Sequence, residues 1–73
     1  MKPSVLRFEL ANALLSGGEQ DEAVSELLLI VRRDKTWNEN AARTLLLKLF
    51  DSLGSDHPLT KSGRRRLANY LLL

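Results

Sequence analysis

Cysteine is absent from this chain of 73 residues, and histidine occurs only once, at His57. Without thiols the chain can form no disulfide, hold no metal through thiolates and carry out no cysteine-based redox chemistry. The lone histidine and the scattered carboxylates also lack the spacing of a tetrahedral metal site. The sequence therefore predicts no cofactor and no bound metal.

A catalytic nucleophile is missing as well. His57 follows Asp56, but the chain has neither a cysteine nor a Gly-x-Ser-x-Gly motif that such a pair could activate. We therefore expect no enzymatic activity. The more local role predicted for His57 is to cap or turn the chain before Pro58.

Long apolar runs and a strong excess of one charge are lacking too. No stretch approaches the about 20 apolar residues that span a bilayer, and the N-terminal "MKPSVLRFEL" has no continuous apolar core like that of a signal peptide. With 11 basic and 9 acidic residues the formal net charge is only +2. These features predict a cytoplasmic protein that binds neither membranes nor nucleic acid.

The three consecutive arginines, residues 64–66, do not change this prediction. Successive helical residues point about 100° apart, so the three side chains cannot form one basic stripe. We expect Arg65 or Arg66 to pair with an acidic residue of a neighbouring helix, such as Asp51.

Helical periodicity is what the sequence does contain. Leucine and alanine, both good helix formers, make up most of the 44% of residues that are hydrophobic, and no segment alternates as a strand does. The breaks between periodic segments are short, which favours antiparallel neighbours. The sequence predicts an all-α domain over residues 1–73 with about four helices, paired as hairpins over 4–36 and 38–73.

The first predicted helix, 4–16, has apolar residues on two sides, with Ser4 as its expected N-cap. One stripe comprises Leu6, Leu10, Ala13 and Leu14, and the other comprises Val5, Phe8, Ala11, Asn12 and Leu15. Because a helix that packs on one neighbour needs only one such stripe, we expect this helix to contact neighbours on two sides.

The second helix is predicted to begin directly after a glycine turn. Gly17 and Gly18 end the first helix, since glycine adopts the left-handed conformation without steric cost. Acidic residues at the start of the next helix and basic residues at its end complement the helix dipole. Its buried stripe is predicted to comprise Ala23, Val24, Leu27, Leu28, Ile30 and Val31.

The third and fourth helices are predicted from similar signals. Asn38 is the expected N-cap of the third helix, which ends at Gly54. Its apolar face comprises Ala41, Ala42, Leu45, Leu46, Leu49, Phe50 and Leu53. Pro58 suits the first turn of the fourth helix, with Asp56 or His57 near the cap, and the buried positions of that helix are Leu67, Tyr70 and Leu71.

Residues from Ser4 to about Trp37 resemble one tetratricopeptide repeat, a helix pair of about 34 residues. The positions that match its pattern are Leu10, Ala11, Leu14, Gly18, Ala23 and Leu27. The small residues Ala11 and Ala23 let the two helices approach closely, and Gly18 makes the turn. The departures are Arg7, where the repeat usually has tryptophan, Ile30 in place of alanine and Lys35 in place of proline.

The second half, from Ala42 onward, resembles the C-terminal end of bacterial thioredoxin-like co-chaperones, in which tetratricopeptide-type helices follow a thioredoxin domain. His57 is inserted into the matching pattern, and the thioredoxin domain is absent from these residues. The matching positions are Arg43, Leu46, Leu49, Phe50, Leu53, Gly54, Asp56, Pro58, Leu59, Arg65, Arg66, Leu67, Leu71 and Leu72.

The resemblance implies a non-catalytic module that binds protein partners. Tetratricopeptide arrays receive partners in a groove lined by the first helix of each pair, which maps to Val5, Phe8, Asn12 and Leu15. This lining lacks the basic residues that grip a C-terminal carboxylate, so an apolar helix or an unfolded client segment is the expected ligand.

The fourth helix is the other candidate contact. Arg65, Leu71 and Leu72 are expected to meet a chaperone such as a chaperonin, or the missing thioredoxin domain. The alternative left open is a structural domain without an external client, in which the surplus of apolar residues serves packing or homodimerisation.

Overall fold

Four α-helices form the fold in the computed structural model, which describes residues 3–72. They are α1 (Ser4–Ser16), α2 (Gln20–Asp34), α3 (Trp37–Leu53) and α4 (Pro58–Leu72). No strand occurs among the residues described. The predicted all-α class with four helices is therefore confirmed.

Helix α2 lies at the centre and packs against each of the other three helices, while α3 and α4 also contact each other. A helix with three neighbours must be apolar around much of its circumference. Its buried residues are Ala23, Val24, Leu27, Leu28, Ile30 and Val31. The other helices add Ala11, Ala42, Leu46, Leu49, Phe50 and Leu67 to the same core.

The turn between α1 and α2 uses Gly18 in the left-handed conformation, with φ of 80°. The Gly18 N–H donates to the Leu15 carbonyl at 3.1 Å, and the Glu19 N–H donates to the Leu14 carbonyl at 2.8 Å. This pair of bonds satisfies the last carbonyls of a helix that ends in glycine. Helix α2 begins at the next residue, so the two helices are antiparallel neighbours.

The first helix has the predicted bounds, 4–16, but Ser4 is not its N-cap. Pro3 is extended at φ −66° and ψ 156° and occupies the cap position. Its carbonyl accepts the N–H groups of Leu6 at 3.1 Å and Arg7 at 3.2 Å. Ser4 is therefore already the first helical residue.

The predicted N-cap Asn38 is also wrong, since Thr36 precedes α3. Asn38, Glu39 and Asn40 all have positive φ, from 49° to 64°, so α3 opens with a left-handed turn and is regular only from Ala41. A left-handed residue costs roughly 1–2 kcal/mol, least for asparagine. The cap preference of asparagine is overridden here by its tolerance of this conformation.

The start of α4 agrees with the capping role predicted for His57, which is confirmed. The His57 Nδ1 atom accepts a hydrogen bond from the Leu59 N–H at 3.1 Å. Its carbonyl accepts the Lys61 N–H at 3.1 Å, the first bond of the helix. The imidazole thus substitutes for the usual oxygen of an N-cap side chain.

Gly63 brings α4 close to α3. A Cβ atom built at Gly63 would lie 2.5 Å from Cζ of Phe50, whose ring is fully buried. One turn earlier, the buried Thr60 hydroxyl donates to the Phe50 carbonyl at 3.5 Å. On its other flank α4 meets α2, where the Arg32 guanidinium lies 5.9 Å from the centroid of the Tyr70 ring.

Replacing Gly63 with alanine should destabilise the fold by about 1–3 kcal/mol, because the enclosed Phe50 ring must move. The free energy of unfolding, measured by urea titration with circular dichroism, checks this. The matched control is Gly17→Ala, since Gly17 has φ of −87° and a Cβ there meets only ordinary contacts at 3.6 Å or more. Equal effects of the two substitutions would contradict the proposed tight contact.

Candidate partner-binding surfaces

Helix α1 packs on α2 through one face and leaves much of its remaining surface exposed. Ala11 is fully buried on the packed face, and Ala23 on α2 is fully buried as well. Near the N-terminus, Val5 is 48% exposed and Leu6 is 49% exposed. These two residues point about 100° apart, so the helix presents apolar groups to solvent on two sides.

One of these sides faces the start of α3. The ring centroids of Phe8 and Trp37 are 5.3 Å apart, and the rings are tilted by 55°. Val5 and Asn12 lie farther around the helix on this same side. The Asn12 amide donates to the Phe8 carbonyl at 3.1 Å. We call Val5, Phe8, Asn12 and Leu15 the α1–α3 surface.

The four residues predicted to line a groove are thus found at different depths. Phe8 and Leu15 are partly buried and pack against the core, whereas Val5 and Asn12 are exposed. The accessible apolar area on this surface therefore comes mainly from Val5 and from the outer parts of Phe8 and Trp37.

The opposite side of α1 carries the other apolar stripe, which the sequence did not single out as a site. Leu6 and Ala13 are exposed there, and Leu10 and Leu14 are half-buried. We call these four residues the α1 outer side. Their helical spacing was visible in the sequence, but only the packing shows which stripe faces away from α3.

The end of α4 presents three residues that were predicted to contact a partner. Arg65 is exposed, and Leu72 is 85% exposed. Leu71 instead packs against the core. Leu73 lies outside the described residues. The exposed pair Arg65 and Leu72 is thus the accessible part of this candidate contact.

The ion pair expected at Asp51 forms with a different arginine. Arg64, and neither Arg65 nor Arg66, approaches Asp51, with Nη2 and Oδ1 3.8 Å apart. Arg64 is one turn after Thr60, which already faces α3, so it lies on that flank of α4. Both side chains are mostly exposed, at 52% and 83%, so the pair contributes little stability.

Other kinds of site are not found in the part of the chain that the structure describes. Residues 3–72 contain no group of three potential metal ligands and no cavity. None of the helices over these residues has the length and apolar character that crossing a membrane requires.

The tetratricopeptide repeat family matches this chain over residues 2–72, nearly its full length. Comparison with curated proteins and with solved structures gives no match. The family match agrees with the helix pair α1 and α2, which turns at Gly18.

Arg7 departs from the repeat pattern, and the structure shows how it is accommodated. Its Nη1 atom lies 3.4 Å from Oε1 of Glu26 on α2, with side chains 15% and 18% exposed. Its Nε atom is buried and has no hydrogen-bond partner among residues 3–72. The position of the usual tryptophan therefore holds a mostly buried ion pair.

Replacing Glu26 with alanine should lower the free energy of unfolding by about 1–3 kcal/mol, since Arg7 would keep a mostly buried charge without its partner. Asp51→Ala is the matched control and should change it by less than about 0.5 kcal/mol, because that pair is exposed. Urea unfolding of both variants measures the difference. A Glu26 variant as stable as the Asp51 variant would contradict this assignment.

Proposed function

The chain belongs to the tetratricopeptide repeat family, and from this premise we propose that it binds an apolar segment of another protein on the α1–α3 surface. Tetratricopeptide repeats are in general non-catalytic modules for protein interaction.

The observation that carries the proposal is the exposed apolar residue Val5 beside a pair of aromatic rings. Val5 is 48% exposed, and the Phe8 and Trp37 rings next to it are only partly buried. An apolar side chain of a ligand placed there would remove more apolar area from water. None of the four residues of the surface carries a charge, which favours an apolar helix or an unfolded segment over a charged terminus.

We also infer a more specific role, as the C-terminal part of a bacterial, cytoplasmic thioredoxin-like co-chaperone that delivers unfolded clients to a chaperone. The resemblance of the second half supports this role. So does the exposure of Arg65 and Leu72, which offers a chaperone a contact separate from the client surface. In this arrangement α1 holds the client and the end of α4 meets the chaperone.

Client binding should be weakened about fivefold by Val5→Asp, because about 1 kcal/mol of apolar contact is lost. The assay uses a synthetic amphipathic peptide as the ligand, which has a leucine-rich face and contains no tryptophan. Trp37 is the only tryptophan of the chain, and its contact with Phe8 makes its fluorescence a local reporter of binding.

Leu6→Asp is the matched control, since Leu6 is adjacent and equally exposed but lies on the other side of α1. It should leave the peptide affinity unchanged. Circular dichroism melts show that both variants stay folded. Equal losses in the two variants, or no change in tryptophan fluorescence with the wild type, would refute binding at the α1–α3 surface.

The chaperone contact is tested with a purified chaperonin by surface plasmon resonance. Leu72→Ser should reduce its binding several-fold, because the 85% exposed side chain offers apolar area while contributing little to the core. Asn69→Ser, an exposed neighbour on α4, should have no effect. Absence of chaperonin binding by the wild type would reject the co-chaperone role and leave the peptide-binding proposal standing.

A further inference from the structure

The exposed charges are divided unevenly along the chain. Among the described residues up to Val31, the exposed charged side chains are all acidic, namely Glu9, Glu19, Asp21 and Glu22. The basic residue in that part, Arg7, is mostly buried against Glu26. Helix α1 and the turn that follows it therefore form an acidic end of the molecule.

The opposite holds from Arg32 onward. Four exposed acidic residues are outnumbered there by nine exposed basic residues. The basic residues are Arg32, Arg33, Lys35, Arg43, Lys48, Lys61, Arg64, Arg65 and Arg66. Helix α3 has two exposed residues of each sign, whereas all four charged residues of α4 are basic. Helices α3 and α4 together therefore form a basic end, although the net charge of the whole chain is only +2.

Each end also has apolar residues in solvent. On the acidic end these are Leu6 and its neighbours on the α1 outer side. On the basic end Leu47 is 41% exposed and Leu72 is 85% exposed. The two ends therefore differ in charge but share an apolar character, which is what a self-complementary, non-symmetric contact requires.

The apolar residues of the basic end fall on one surface. The Arg64–Asp51 ion pair lies where α3 and α4 meet. Ala68 comes one turn after Arg64 on α4, and Leu47 comes one turn before Asp51 on α3. Leu72 follows one turn after Ala68, on the same side of α4. We call Leu47, Ala68 and Leu72, with the basic residues Arg43, Lys61 and Arg65, the α3–α4 outer surface.

We propose that the chain associates head to tail with a second copy of itself, the α1 outer side of one copy docking antiparallel on the α3–α4 outer surface of the next. Leu6 then lies near Leu72, and Leu10 lies near the small Ala68. The acidic residues that follow α1, Glu19, Asp21 and Glu22, approach Lys61 and Arg65.

Charge complementarity is the reason to assign a second copy to this surface. Like ends repel and unlike ends attract, so a symmetric pairing of two α1 helices is disfavoured. Because the two contacting surfaces are different, an assembly of any size keeps one free surface of each kind. Further copies can therefore be added, and the association is open-ended. The α1–α3 surface is not used, so this proposal does not depend on client binding. Arg65 and Leu72 are shared with the proposed chaperone contact, so a second copy and a chaperone would compete for them.

The test uses two variants with one damaged end each. Leu6→Asp blocks the α1 outer side and Leu47→Asp blocks the α3–α4 outer surface, since either places a carboxylate in an apolar contact. Both residues are well exposed, so the fold is preserved, and circular dichroism verifies this. Sedimentation velocity measures the mass of each protein at about 0.05 M and about 0.5 M salt, where screening differs strongly.

The wild type should show an average mass that rises with concentration above the 8.2 kDa of one chain, more strongly at low salt. Each variant alone should remain a monomer, with association at least about tenfold weaker. An equal mixture should give a particle of twice the chain mass, because each variant supplies the end that the other lacks. Val5→Asp should associate like the wild type.

Three results would overturn the proposal. They are a wild type that stays monomeric at low salt, a Leu47 variant that still forms dimers, and a mixture that does not exceed the mass of one chain. Association that strengthens with salt would also reject it, because charge would then not direct the contact. Loss of peptide binding by Val5→Asp is independent of all these outcomes.

Discussion

The packing of three helices around α2 is the constraint from which the rest of the structure follows. On the α1 side Ala11 is fully buried, and so small a side chain lets the backbone of α1 approach its neighbour closely. Helix α1 covers one part of the buried face of α2. Helices α3 and α4 cover the rest of the buried face of α2, whose buried residues span nearly half of the circumference of the helix.

The positions of the helices and their glycine ends could be predicted from the sequence. The N-cap residues could not, because neighbouring residues compete for the cap position. Apolar periodicity gave the four helices, and Gly18 and Gly54, both with positive φ, gave their ends. The N-cap predicted at Asn38 was wrong because asparagine favours both the N-cap position and the left-handed conformation. The N-cap predicted at Ser4 was wrong because the carbonyl of Pro3 already accepts the N–H groups of the first turn of α1. The division into segments 4–36 and 38–73 stays a prediction.

The candidate surfaces were only partly predictable, for a reason that lies in α1 itself. Its two apolar stripes are similar in the sequence, and periodicity alone cannot say which one faces α2 or α3. The contact of Phe8 with Trp37 resolves this and places Val5 beside α3 and Leu6 on the far side. Leu47, in contrast, was already outside the apolar face predicted for the third helix by helical spacing, and it is 41% exposed.

Apolar burial and charge have separate roles in this fold. In repeat proteins each unit packs only on its neighbours, so apolar residues are needed on both ends of a unit and do not by themselves specify which end meets which. In this chain the charges supply that distinction, acidic around α1 and basic along α4. The charges that direct association can be exposed, since long-range attraction acts before contact is made. The ion pair that stabilises the fold, between Arg7 and Glu26, is instead mostly buried within a single helix pair.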